Sequence, residues 1–418
     1  MKEKTIKLEL ENKNPYFDSC YYESLPLPAT TNEIRDVLHR IRVTDRQLLP
    51  SQISIYDCEL IPVLTDCRMD SPTLDELNFL ANRLAQLSEN EITVMHAVVS
   101  DFVKGDEDDL VSVRDLINMT YGLSSVSVIS NVSNDEELGE FVIDNELHST
   151  VEAVPEEFRH LLDKEKLGRV QRAADDGVYI GNTYVLAGEF ELPKVYDGIT
   201  LPESAPEQWY AFRLLVSEAP RGDEATDNSA EWISLPMTDS DMAAAAHRHH
   251  AKSLAECVYY DFDSSIPQIT SEDFTTMRDI EKLNEMALRM AEMSPGEQVT
   301  FKAALEAEKM RGTTFEHMYD ACMNLHGYEI NTHCTNASEF FKEYLLTYMD
   351  SKFDEKWISD IYCGNEGQKL LSKLGASVTE YGVVSACSGS LYQLVPFDEQ
   401  SESPDEEIED DKEMNMTM

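Results

Sequence analysis

Five residues, Ala246-His247-Arg248-His249-His250, hold the densest imidazole in the chain. Helical metal sites present histidines at i, i+4, with a carboxylate or thiolate completing the set. Here the spacing is His-x-His-His after four alanines, and no carboxylate or cysteine stands at ligand spacing, so the segment reads as a solvated helix. Gly105-Asp106-Glu107-Asp108-Asp109 offers oxygens but lacks the alternating ligands, central glycine and closing glutamate of a calcium loop. The eight cysteines (20, 58, 67, 257, 322, 334, 363 and 387) contain no C-x-x-C pair and no zinc spacing. There is no P-loop, no G-x-G-x-x-G after a strand and no G-x-S-x-G. Paired carboxylates are too frequent to argue for glycosidase-type chemistry. The expectation is a protein that is not an enzyme and uses no metal and no cofactor.

Charge is what remains. The 418 residues carry 80 acids against 34 bases, a formal net of −46. Such a field repels nucleic acid and anionic membranes and attracts basic surfaces. Duplex DNA carries one charge per roughly 1.7 Å of axis, so this charge corresponds to about 23 base pairs. The distribution is uneven: residues 1–50 hold eight acids and eight bases, whereas 51–150 hold twenty acids and four bases. No run of about 18 apolar residues suggests a membrane span, and MKEKTIKLELENK lacks the apolar core of a signal peptide. A cytoplasmic protein with reduced thiols is expected.

The elements that must position these acids are written twice. Leu74, Leu77, Leu80, Ala81, Leu84 and Leu87 recur at helical spacing. Thr73 with Glu76, and then Ser88 with Glu91, fit capping boxes that begin two successive helices. At an offset of 206, the segment from Asp279 repeats this pattern, matching Leu77/Leu283, Asn78/Asn284, Ala81/Ala287, Arg83/Arg289, Ala85/Ala291, Ser88/Ser294, Glu91/Glu297 and Ala97/Ala303. That period is too long for a solenoid and reads as a duplicated domain. Strands are expected at Lys4–Leu10 and Ile53–Val63, with a helix over Thr31–Arg42 and a loop at LPLPATT. Val113–Met119 and Pro155–Leu167 read as helices, and Asn134 caps another whose first turn is acidic. Val178–Val185 reads as a hairpin turning at Gly181-Asn182.

These stretches carry a resemblance. LDELNFLANRLAQLSENE, VRDLINMTYGL, VSNDEELGEFVIDNEL and LLDKEKLGRV…GVYIGNTYVL, in that order, resemble the ArdA antirestriction proteins of mobile elements in Gram-positive bacteria, over about residues 1–195. The resemblance implies an acidic, elongated α+β mimic of duplex DNA, built from three small domains, that dimerises and occupies the DNA-binding cleft of type I restriction–modification enzymes. The acids expected to stand in for phosphates are Asp106, Glu107, Asp108, Asp109, Asp115, Asp135, Glu136, Glu137, Glu140, Asp144 and Glu146. Where copy one reads Asn134-Asp135-Glu136-Glu137, copy two reads Asn336-Ala337-Ser338-Glu339, so mimicry is expected mainly of the first half.

The expected architecture is an internally duplicated, elongated α+β tandem. It comprises an N-terminal α+β unit (1–70), a helical middle domain (71–122), a third α+β domain (123–196) and a linker (197–231). A second lead-in (232–275), helical domain (276–327) and closing α+β domain (328–396) follow, then an acidic disordered tail (397–418). Either a homodimer or an intramolecular pseudo-dimer of the copies fits this plan. Two rival readings stand beside antirestriction: an acidic adaptor of a mobile element that targets another DNA-binding defence or regulatory protein, and a metal-dependent enzyme using His247, His249 and His250.

Overall fold

The structure, a computed structural model, describes residues 5–44, 48–65, 67, 69–103, 111–202, 209–218, 230–310, 312, 314–348 and 360–386. The fold is α+β, and the chain divides into two compact units, Met1–Tyr210 with Ser265–Pro267, and Ala211–Ser264 with Gln268–Met418. The expected tail at 397–418 lies outside the described residues.

The first unit opens with β1 (Ile6–Lys13), whose Ile6, Leu8 and Leu10 are fully buried while Glu9 and Lys13 face water, the period of two that a half-buried strand requires. Antiparallel β2 (Cys20–Leu27) and β3 (Ile53–Asp57) flank it. The expected LPLPATT loop overlaps the end of β2; Pro26 is tolerated because β2 is an edge strand. Helix α1 (Thr31–Arg40) is capped by Thr30 with Glu33, ahead of Thr31 and Asn32, either of which the sequence offers as the cap. β4 (Met69–Asp70) pairs in parallel with β5 (Val111–Ser112). Between them run α2 (Leu74–Leu84) and α3 (Glu89–Val103), with α4 (Val113–Met119) following β5. Both capping boxes form: Thr73 Oγ1 accepts from Glu76 N, and Ser88 N and Oγ donate to Glu91 at 2.8 and 2.7 Å. Leu77, Leu80, Ala81 and Leu84 pack into the same core as Leu8, Leu10 and Leu27, and Thr5 Oγ1 donates to Ala81 O. The expected boundary at residue 70 is therefore not a structural one, because the sheet and the helices bury their apolar faces against each other.

The third layer comprises β6 (Val128–Ser130), α5 (Asp135–Asp144), the short α6 (Ser149–Glu152), a 3₁₀ turn at Glu156–Leu161, α7 (Lys164–Ala174), β7 (Val178–Ile180) and β8 (Thr183–Val185). The sheet order is β6-β8-β7, and the hairpin turns where expected, with Gly181 at φ +58°. The single helix expected over 155–167 is divided, because Asp163 caps a new helix by accepting from Lys166 N. Helices α5 and α7 cross backbone to backbone. A Cβ on Gly139 would stand 1.9 Å from Lys164 O, and one on Gly168 would stand 1.8 Å from Asp135 O. Beyond β8 the chain returns to α4: Asn118 Oδ1 accepts from Val195 N and Tyr196 N, and its Nδ2 donates to Tyr196 O.

In the second unit, β9 (Phe212–Ser217) lies between β10 (Glu231–Leu235) and β11 (Val258–Ser264). β9 falls within the expected linker 197–231 and corrects it: Phe212, Leu214 and Val216 are fully buried on one face, a short alternation that the surrounding prolines hid. Then come α8 (Asp239–Arg248), α9 (Ile280–Glu292), α10 (Pro295–Lys309), α11 (Phe315–Met323), β12 (Tyr328–Asn331), α12 (Ala337–Tyr348), α13 (Asp360–Leu374), β13 (Ser377–Thr379) and β14 (Gly382–Ala386), with sheet order β12-β14-β13. Both units thus carry one strand order in their first sheet, second-first-third, and one in their last, first-third-second. A side-chain lock recurs as well. Asn78 Oδ1 accepts from Ala29 N (2.7 Å) and its Nδ2 donates to Ala29 O (2.9 Å); Asn284 does the same with Met237 N (2.8 Å) and O (3.0 Å). Among the described residues no helix is long and apolar enough to cross a membrane.

Candidate functional site

Helix α5 is the best-defined acidic element. Asn134 caps it, accepting from Glu137 N at 3.0 Å, and the Glu137 carboxylate accepts from Ser133 N and Oγ, both at 2.8 Å. The Ser133 backbone N–H foremost holds the Glu137 carboxyl below its ordinary range. Leu138, Gly139 and Val142 turn inward, which leaves Glu136, Glu140 and Asp144 exposed at i, i+4 and i+8. At a rise of 1.5 Å per residue they recur about every 6 Å. One DNA strand carries a charge about every 3.4 Å, so this row is sparser than a strand and needs neighbouring elements to complete it.

The chain also supplies cations to these acids. Asp135 accepts from Arg172 Nε (2.7 Å) and Nη2 (3.3 Å) and from Tyr179 OH (3.0 Å), with Arg169 Nε at 3.8 Å. Its side chain is 17% exposed, and the Arg172 guanidinium holds its pKa down. Asp135 is therefore an anchor that ties α5 to α7 and β7. Lys164 Nζ lies 2.7 Å from Glu140 and also feels Glu136 and Asp144, and these carboxylates raise its pKa, Glu140 foremost. Glu146 pairs with Arg159 at 2.7 Å, and Asp115 with Arg114 at 3.0 Å. Of the eleven expected acids, Asp106, Glu107, Asp108 and Asp109 lie outside the described residues. Among the described ones, Glu136, Glu137 and Asp144 are exposed and form no ion pair within 4 Å with another described residue. Exposed acids that the sequence reading passed over include Glu152, Glu156, Glu157, Asp176, Glu189 and Glu191. They stand singly or in pairs outside the acidic runs; the signal that could have found them is the excess of ten acids over six bases across 151–200.

On α12 the two acids, Glu339 and Glu343, are half-buried and bonded locally. Asn336 again caps, and Glu339 accepts from Thr335 N and Oγ1, both at 2.7 Å. Glu343 accepts from Asn331 Nδ2 (2.8 Å) and Cys334 Sγ (2.9 Å). Even so, the second unit is as acidic as the first: the first holds 40 acids and 18 bases, the second 40 acids and 16 bases. The local loss of acids near Asn336 is not a loss of charge by the unit.

The histidine segment is only partly solvated. His247 and His250 are exposed, whereas His249 is buried with Nε2 3.5 Å from Glu231 Oε1. Arg248 holds that same oxygen through Nε (2.9 Å) and Nη2 (2.6 Å), which keeps the Glu231 carboxyl low. Among the described residues no group of three or more His, Cys, Asp or Glu could hold a metal ion. Burial raises the Cys58 and Cys334 thiols and pushes Cys322 up to about 12, so these groups remain protonated and poorly nucleophilic. No protein-family model matches the chain, and no curated protein matches it.

Proposed function

We propose that the protein is a non-enzymatic mimic of duplex DNA that occupies the DNA-binding cleft of a type I restriction–modification enzyme, and that its two units arose by duplication. The observation that carries this reading is the net −46, spread almost evenly over two units of the same strand order. The ordered resemblance of residues 1–195 to ArdA proteins names the target class, and the repeated Asn78 and Asn284 locks support duplication. A basic groove shaped for phosphates would meet the carboxylates Glu136, Glu140 and Asp144 together with those of the 151–191 segment. No single acid is indispensable in such a contact, because the energy is spread over many weak pairs.

The test is competition. Purified protein should release a labelled duplex from a type I methyltransferase core, and its own affinity for that core, measured without duplex, should fall between about 50 and 300 mM salt. Retention of the duplex at every salt would refute the target, and a direct affinity indifferent to salt would refute the electrostatic basis. An acidic adaptor aimed at a different DNA-binding protein would leave that duplex in place while binding its own partner in a pull-down from a host with known defence systems.

A further inference from the structure

The most exposed large apolar side chains of the third layer lie just beyond α5 and on the 3₁₀ turn that an ion pair ties to it. Leu147 is 54% exposed, Phe158 50% and Leu161 72%. Phe158 and Leu161 are three apart on the Glu156–Leu161 3₁₀ turn, where side chains at i and i+3 eclipse and project to one side. The Arg159–Glu146 ion pair, at 2.7 Å, holds the segment just past α5 against that turn, and Leu147 and Phe158 are the chain neighbours of the paired residues. Leu162, the next residue, packs into the core with Val142 and Leu138, which fixes the turn's orientation. Single exposed apolar residues are ordinary. Three grouped on one ion-paired corner of so charged a surface have the character of an interaction patch.

We propose that Leu147, Phe158 and Leu161 form a docking knob that enters an apolar depression beside the DNA-binding groove of the target enzyme. This inference rests on the DNA-mimic reading and adds to it a contact that no nucleic acid makes. The occupant follows from charge: Glu152, Glu156 and Glu157 are exposed on the same segment, so the knob repels a second copy that bears the same acids and favours an apolar site bordered by lysine and arginine. The carboxylates steer the encounter, and the knob holds once contact is made.

The experiment is the same competition, run with Phe158→Ser/Leu161→Ser, with Leu161→Ser alone as a milder variant and Glu156→Gln/Glu157→Gln for comparison. Leu161 faces water over most of its surface, so Leu161→Ser should leave the thermal midpoint in place. The half-packed Phe158 lowers that of the double variant, and release is compared well below both midpoints. The double apolar variant should need about tenfold more protein to release the duplex, by the same factor at low and high salt, because apolar contact is not screened. The glutamine variant should instead flatten the salt dependence. Unchanged release by the apolar variant overturns the knob and leaves the mimic reading intact. A dimer in light scattering that the apolar variant converts to monomer also overturns it, since the knob would then meet a second copy. If the unaltered protein releases no duplex at any salt, the mimic reading falls and the knob's assigned partner falls with it.

Discussion

Gly168→Ala tests the crossing on which the third layer depends. The new Cβ would lie 1.8 Å from Asp135 O, where such contacts run no shorter than 3.0 Å, so α5 and α7 must part by about 1.2 Å. Two effects oppose each other. Alanine in place of glycine favours a helix by about 1 kcal/mol. Overpacking costs about 1–3 kcal/mol, and a gap near 1 Å forfeits up to about half of the dispersion energy of the contacts it opens. The core between these helices has few residues to lose (Val132, Leu138, Val142, Val151, Leu167 and Tyr184), and the Asp135–Arg172 pair spans the same crossing. Destabilisation should win, by about 2 kcal/mol. Gly364→Ala on α13 is the control, because its Cβ would meet nothing within 4 Å and only the propensity gain remains. Amide hydrogen exchange across α5 and α7, with urea unfolding of the whole protein, reads both variants. If Gly168→Ala is as stable as Gly364→Ala, the close crossing is wrong.

Asn78→Ala and Asn284→Ala each break a donor and an acceptor bond to one backbone residue and should each cost about 1–3 kcal/mol in urea unfolding; a marked inequality would argue that the two locks are not equivalent. The Glu297 carboxyl is pushed down to about 2 by the Ser294 backbone N–H and hydroxyl and by Arg289, and Asp135 is lowered by Arg172. Since both folded values lie below the unfolded ones, their stabilisation is complete at neutral pH and is lost as pH falls below about 4.5 toward about 2. An NMR titration placing the Glu297 midpoint near 4.5 would contradict this. The raised and fully buried Cys322 and Cys334 thiols should resist a disulfide reagent at pH 8 in the folded protein and react at once in denaturant, which a timed labelling and mass measurement reports.

What was legible in the sequence was local. The boxes Thr73/Glu76, Ser88/Glu91 and Ser294/Glu297 are set by side chains three residues apart, and all form as read. β2 and β9 escaped because Pro26 and the prolines around β9 carry stronger local signals than a short alternation does. The anchoring of Asp135 was illegible for another reason: its partner Arg172 is 37 residues away, so only the α5–α7 crossing brings them together. His249 likewise owes its burial to the fold, and the join between the first sheet and α2 depends on Asn78 reaching Ala29 across 49 residues.

The cations of α7 have a consequence for ions in solution. A DNA duplex keeps a condensed cloud of small cations, and their escape into the bulk drives much of its association with proteins. Beside α5 the equivalents are Lys164, Arg169 and Arg172, tethered to the same backbone as the carboxylates they answer. They cannot diffuse away. A basic partner docking on this face gains little mixing entropy from them, so its grip weakens less per doubling of salt than its grip on a nucleic acid. In a contest for one groove, brine would handicap the duplex more than the protein.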